Sequence, residues 1–109
     1  MRAFLLSFSA LLNSNHVHNV LNTSNSVETW VSPFPFSAIV VSRLTALELG
    51  AVLHSHFGES LFMIVEATTL NTSGWLPMEF WNFVNDPQGT WSKQFFSLPR
   101  LGTSDQAAR

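Results

Sequence analysis

The sequence has no cysteine. Disulfides, thiolate zinc sites and cysteine nucleophiles are therefore excluded, and a bound metal would have to be held by histidine and carboxylate with water. Charge is also scarce: charged residues make up 11% of 109 residues, and the net charge is -2. The five cations, Arg2, Arg43, Lys93, Arg100 and Arg109, are scattered along the chain. Neutralising several phosphates needs a cluster of cations, so no nucleic-acid partner is expected. Tyrosine is absent although there are ten phenylalanines. That skew keeps open the alternative of a decayed or uncharacterised reading frame with no biochemical activity.

Hydrophobic residues, in contrast, make up 46% of the chain. This is enough apolar side chain for one small folded domain with its own core. With so few charges, part of the surface must be apolar, which makes a homodimer a candidate state. Residues 1–12, MRAFLLSFSALL, read as a strand or short helix. A secretory signal is the alternative reading, but no small-x-small cleavage site follows. The run is too short to span a bilayer, so no transmembrane segment is expected and a cytoplasmic location is the expectation. Residues 13–26 have the Asn- and Ser-rich composition of a loop. They contain the sequon Asn22-Thr23-Ser24, and a second, Asn71-Thr72-Ser73, lies further on. The expected organisation is an N-terminal segment at 1–26, a domain at 27–100 and a flexible tail at 101–109.

Within 27–100 the pattern predicts mainly β structure. Pro33 and Pro35 exclude a helix interior or central strand around them. Residues 37–42 are rich in Ile and Val and predict a strand. Residues 43–57 are also predicted as a strand, because Leu47, Leu49, Ala51, Leu53 and Phe57 alternate onto one face. Gly58-Glu59-Ser60 then forms a turn, and residues 61–68 return as a second strand, making a hairpin. Residues 77–84 suit either a short helix opened by proline or an aromatic strand. Asp86-Pro87-Gln88-Gly89 is a turn, and 91–98 is a final strand. The four tryptophans, Trp30, Trp75, Trp81 and Trp91, read as core and interface.

The candidate chemistry is His54 and His56. On a strand, residues two apart share a face, so both imidazoles can reach one ion. Glu59, across the turn, supplies a carboxylate. Two histidines and one carboxylate with open positions suit iron, manganese or zinc. A second pair, His16 and His18, reads as solvated loop histidines. No nucleophile elbow and no phosphate-binding glycine loop are present.

The run Gly50-Ala51-Val52-Leu53-His54-Ser55-His56-Phe57-Gly58-Glu59, followed by Leu61-Phe62-Met63-Ile64-Val65-Glu66-Ala67, resembles the first conserved motif of the cupin superfamily. The likeness extends over roughly residues 30 to 96 and is specific at 50–67. The motif's usual glutamate position is held by Ser60, Ala67 replaces its glycine, and Ser92 stands where a third histidine is expected. The resemblance implies a small jelly-roll β-barrel with a divalent metal inside it, held by His54, His56 and Glu59. It also implies similarity to small single-domain cupins of the anti-sigma-factor and diketone-dioxygenase types. Two functions follow. One is a module that binds a metal or small-molecule ligand through the His-x-His pair without catalysis. The other is a metal-dependent dioxygenase or isomerase.

Overall fold

The computed structural model describes residues 1–89 and 106–108. The elements are β1 (Arg2–Phe8), α1 (Ser14–Thr23), β2 (Thr29–Val31), β3 (Ser37–Ser42), α2 (Ala46–Phe57), β4 (Phe62–Ala67), β5 (Trp75–Pro77), α3 (Met78–Asn85) and β6 (Gln106–Ala108). Short 3-10 turns lie at Thr69–Asn71 and Pro87–Gly89.

The first strand follows from side-chain alternation. Phe4, Leu6 and Phe8 are buried while Leu5 and Ser7 are exposed, as a strand with one face in the core requires. The polar stretch after it folds as helix α1. The Asn13 side chain accepts hydrogen bonds from the amides of Asn15 and His16, a standard helix start. Val17, Val20 and Leu21 are its buried residues, and their i, i+3, i+4 spacing makes one apolar stripe.

Helix α2 starts with a capping box: the Thr45 hydroxyl accepts from the Glu48 amide and the Glu48 carboxylate accepts from the Thr45 amide. These bonds to Thr45, its backbone amide first, hold the Glu48 carboxyl below its ordinary value. Leu49, Leu53 and Phe57 are its buried residues, four apart on one stripe. The helix stops at Gly58, whose φ of 63° is in the left-handed region that glycine enters without a side-chain clash.

The strand order is β2-β3-β1-β4, every pair antiparallel. Each helix α1 and α2 connects two strands with a third strand inserted between them. The β-α-β-β-α-β order with this sheet is the ferredoxin-like arrangement of two split βαβ units. Both helices pack on one sheet face, where Phe4, Leu6, Val40 and Trp30 meet Val17, Leu21, Leu49 and Leu53. Trp30 Nε1 donates to Asn22 Oδ1 at 2.8 Å, so this large buried side chain keeps its polar atom satisfied. The other face is covered in part by α3, whose Phe80, Phe83 and Val84 bury Val31, Ile39 and Val41.

Several expectations are corrected. The fold is mixed α/β with an open four-stranded antiparallel sheet, not a mainly β jelly-roll barrel, so among the described residues neither a β-barrel nor a cupin-like architecture forms. Residues 46–57 are helical, so the predicted 43–57 strand and its hairpin with 61–68 do not form; a helix-to-strand connection replaces them. The 13–26 stretch is largely helix rather than loop. The 37–42 strand and the Gly58 turn stand where they were expected, the strand expected at 61–68 forms over Phe62–Ala67, and the 77–84 segment takes the helical option as Met78–Asn85. Within residues 1–26, β1 is an inner strand of the sheet and α1 is part of its core. The expected strand at 91–98, Trp91 and Ser92 lie outside the described residues, as do residues 101–105 and 109 of the expected tail. Among the described residues no helix is long and apolar enough to cross a membrane.

Candidate functional site

The helical form of α2 decides the fate of the histidine pair. Two residues apart on a helix is about 200° of rotation, so His54 and His56 diverge. Both are exposed, as is Glu59 beyond Gly58. Among the described residues no three His, Cys, Asp or Glu side chains are grouped closely enough to hold a metal ion. The shared face that motivated an iron, zinc or manganese site at His54, His56 and Glu59 is therefore absent, and the metal-binding expectation falls with it.

The other two histidines lie on α1 rather than in a loop; His16 is exposed, as expected, and His18 is not fully so. His16 hydrogen-bonds the His56 carbonyl through Nε2 at 3.1 Å and meets the Phe57 ring edge-on at 6.0 Å, tying α1 to α2. His18 is half-buried and stacks on Trp30, with ring centroids 4.9 Å apart and planes 27° apart. Burial pushes its pKa below the ordinary histidine value. These are packing roles.

A cleft on the opposite sheet face is the stronger site. Alternation along β1, β3 and β4 places Leu5, Ile39 and Ala67 on the face away from α1 and α2, and they form the cleft floor. Trp81 and Val84 of α3 make one wall. Pro33 and Phe34, in the loop before β3, line it too. The segment Asn71 to Leu76 closes the rim, with Asn71, Thr72 and Ser73 as its polar groups. Gly74 matters here: a Cβ on it would lie 3.7 Å from the Trp81 ring, so the rim passes directly over that indole.

The cleft volume is about 420 Å³, within the usual range for small-molecule sites. Among the described residues that line it, none is acidic, basic or histidine. Aromatic and aliphatic groups form the body, and amide and hydroxyl groups sit at the mouth. Such a surface takes apolar area out of water and offers neutral hydrogen bonds at one end.

Sequence reasoning missed this site. Its residues range from Leu5 to Val84 and come together only through the strand order. The one local signal is the pairing of aromatics with the neutral polar stretch Asn71-Thr72-Ser73-Gly74-Trp75, which by composition reads as a turn. Comparison of the chain with protein-family models, with curated proteins and with solved structures finds no match.

Proposed function

We propose that this protein binds a small, uncharged, mainly apolar molecule in the cleft between the open sheet face and α3, without chemical turnover. The observation carrying this reading is a cleft of about 420 Å³ whose described lining residues include no ionisable side chain. General acid–base catalysis needs a proton-transfer group within hydrogen-bond reach of the substrate, and the described lining residues supply none. Apolar burial provides the affinity, and the Asn71 side chain at the rim orients a neutral polar end.

The test is a titration with Nile red, an uncharged apolar dye, with displacement by decanol. Saturable one-to-one binding is expected in wild type. Leu5→Glu places a carboxylate on the floor, where removing it from water is costly, and should weaken binding by at least about tenfold. Leu5 is 40% exposed, so the fold should tolerate the change, and Leu70→Glu, at a site 95% exposed, is the control. Equal binding by wild type and Leu5→Glu, or no saturation at all, would sink the reading.

A second reading, self-association, is favoured by the exposed edge of β4, whose Met63 and Val65 are 63% and 49% exposed.

A further inference from the structure

Strand β4 ends the sheet, and among the described residues no strand pairs with its outer edge. The direction of its backbone groups follows from the ladder. Ser9 donates to the Leu61 carbonyl at 3.0 Å, and the β1–β4 register continues from there without a bulge, Phe8 facing Phe62 and Ser7 facing Met63. Hydrogen-bonded and non-hydrogen-bonded pairs alternate in an antiparallel ladder. Met63, Val65 and Ala67 therefore bond to β1, while Phe62, Ile64 and Glu66 point their N–H and C=O groups outward. Pairing on the other side of β1 agrees: Phe8 donates to Phe36 at 3.0 Å, so the even-numbered residues of β1 serve β3.

An exposed edge of this kind is normally blunted by brevity, proline, lysine or a bulge. The opposite edge fits that description, since β2 has three residues and is followed by Ser32-Pro33. Strand β4 has six residues, with no proline, lysine or glycine.

The helix layer above the same edge is also apolar. Gly50 sits over β4, where a Cβ placed on it would lie 3.8 Å from Ile64 Cγ2. Leu49 and Leu53, on one side of Gly50, are fully buried. Continuing round the helix the other way brings Leu47, Ala51 and His54 onto the flank beyond the sheet edge. Leu47 is 87% exposed; the nearest acid on the helix, Glu48, lies about 60° further round beyond Ala51, with its carboxylate bonded back to the Thr45 amide.

We propose that two copies of this chain join through β4, antiparallel about a twofold axis at Ile64, to form one continuous eight-stranded sheet. In this register Ile64 faces its own copy and Phe62 faces Glu66 of the partner chain, so every outward-pointing residue enters a hydrogen-bonded pair. Met63 of each chain lies beside Val65 of the other, giving apolar cross-strand contacts on the cleft-side face. The two α2 helices run antiparallel above the seam, with Leu47 against the other chain's His54 flank and the alanines at position 51 near the axis. The surface is self-complementary, as a twofold interface requires. Charge does not oppose it: the strand's one acid, Glu66, has Arg2 of its own chain at 3.8 Å, and the net charge is only -2. The seam is about 20 Å long and two layers deep. That places it at the low end of specific interfaces, so dimer formation should depend on protein concentration.

Sedimentation equilibrium between about 5 and 200 μM tests this. Wild type is expected to shift from monomer to dimer with no larger species. Glu66→Pro removes an outward N–H that β1 does not use, a position where an edge strand tolerates proline. Leu47→Glu charges the helix flank at an exposed position in the first turn. Each should weaken the dimer at least about tenfold while keeping a cooperative unfolding transition, and Leu70→Glu should leave it unchanged. A wild-type monomer at the highest concentration, a dimer that survives both substitutions, or growth to open-ended oligomers would each overturn the proposal.

Discussion

At the scale of single residues, the histidine whose packing matters is not one that stands out in the sequence. His54 and His56 have the spacing of a metal pair, but His18 is the one set against a core ring. Its ring stacks on the buried Trp30, and burial holds its pKa below 6.5. In the unfolded chain the same imidazole titrates near its ordinary value. As pH falls through 6.5 the unfolded chain takes up this proton first, and stability present at higher pH is lost. The loss ends once the pH is below the folded-state pKa. Wild type should therefore lose stability as the pH is lowered from about one unit above the ordinary histidine value to about one unit below it. His18→Phe keeps a flat ring against Trp30 but cannot titrate, so its urea midpoint should fall less over the same interval. Equal falls in the two proteins would show that His18 does not titrate differently on folding. The interaction is invisible in sequence because His18 and Trp30 are brought together by the turn between α1 and β2, within a segment whose Asn and Ser content suggests a loop.

At the scale of elements, the legible parts are those where composition and period agree. Ser37–Ser42 is β-branched and bounded by turns, and it is β3. The run 61–65 is continuously apolar, and it leads through β4, which ends at Ala67. The stretch 46–57 misleads for a definite reason. Leu49, Leu53 and Phe57 are four apart, and a spacing of four returns to the same face on a strand and nearly so on a helix. The residues that distinguish the two are Leu47 and Ala51: a strand would bury them with Leu49, whereas both are exposed. The decisive local signal is Thr45-x-x-Glu48, a helix-start pattern in the sequence itself. Its energetic weight can be measured. Thr45→Ala should lower stability by about 1 kcal/mol in urea unfolding, through the loss of the bond to the Glu48 amide at 3.2 Å. Thr45→Ser, which retains the hydroxyl, should recover most of it. An unchanged midpoint in Thr45→Ala would mean that tertiary packing alone sets the start of α2.

At the scale of the whole molecule, one sheet serves two apolar clusters, and the second is the least legible feature of the sequence. The α1 and α2 side is a continuous core. The α3 side is smaller among the described residues, and the cleft lies beside it. Strand β3 belongs to both: Ala38 and Val40 face the first cluster, while Ile39 and Val41 face the second. All six of its residues are buried. Two clusters that share a fully buried inner strand cannot lose their packing independently, because freeing β3 from one removes its support in the other. Phe80 tests this coupling. It is 3% exposed and lies on α3 in the second cluster. Phe80→Ala should cost about 3–5 kcal/mol from side-chain transfer and cavity formation, a large fraction of the roughly 5–15 kcal/mol that holds a domain folded. The loss should appear as a lower midpoint of one transition, coincident by far-ultraviolet circular dichroism and by tryptophan fluorescence. The two probes weigh the molecule differently: the helical signal comes mainly from α1 and α2, whereas fluorescence also reads Trp81, which lines the cleft beside α3. If fluorescence changed well before the helical signal, α3 would be a separately melting lid on a self-sufficient sheet. The cleft would then owe its shape to a weaker unit than the fold that carries it.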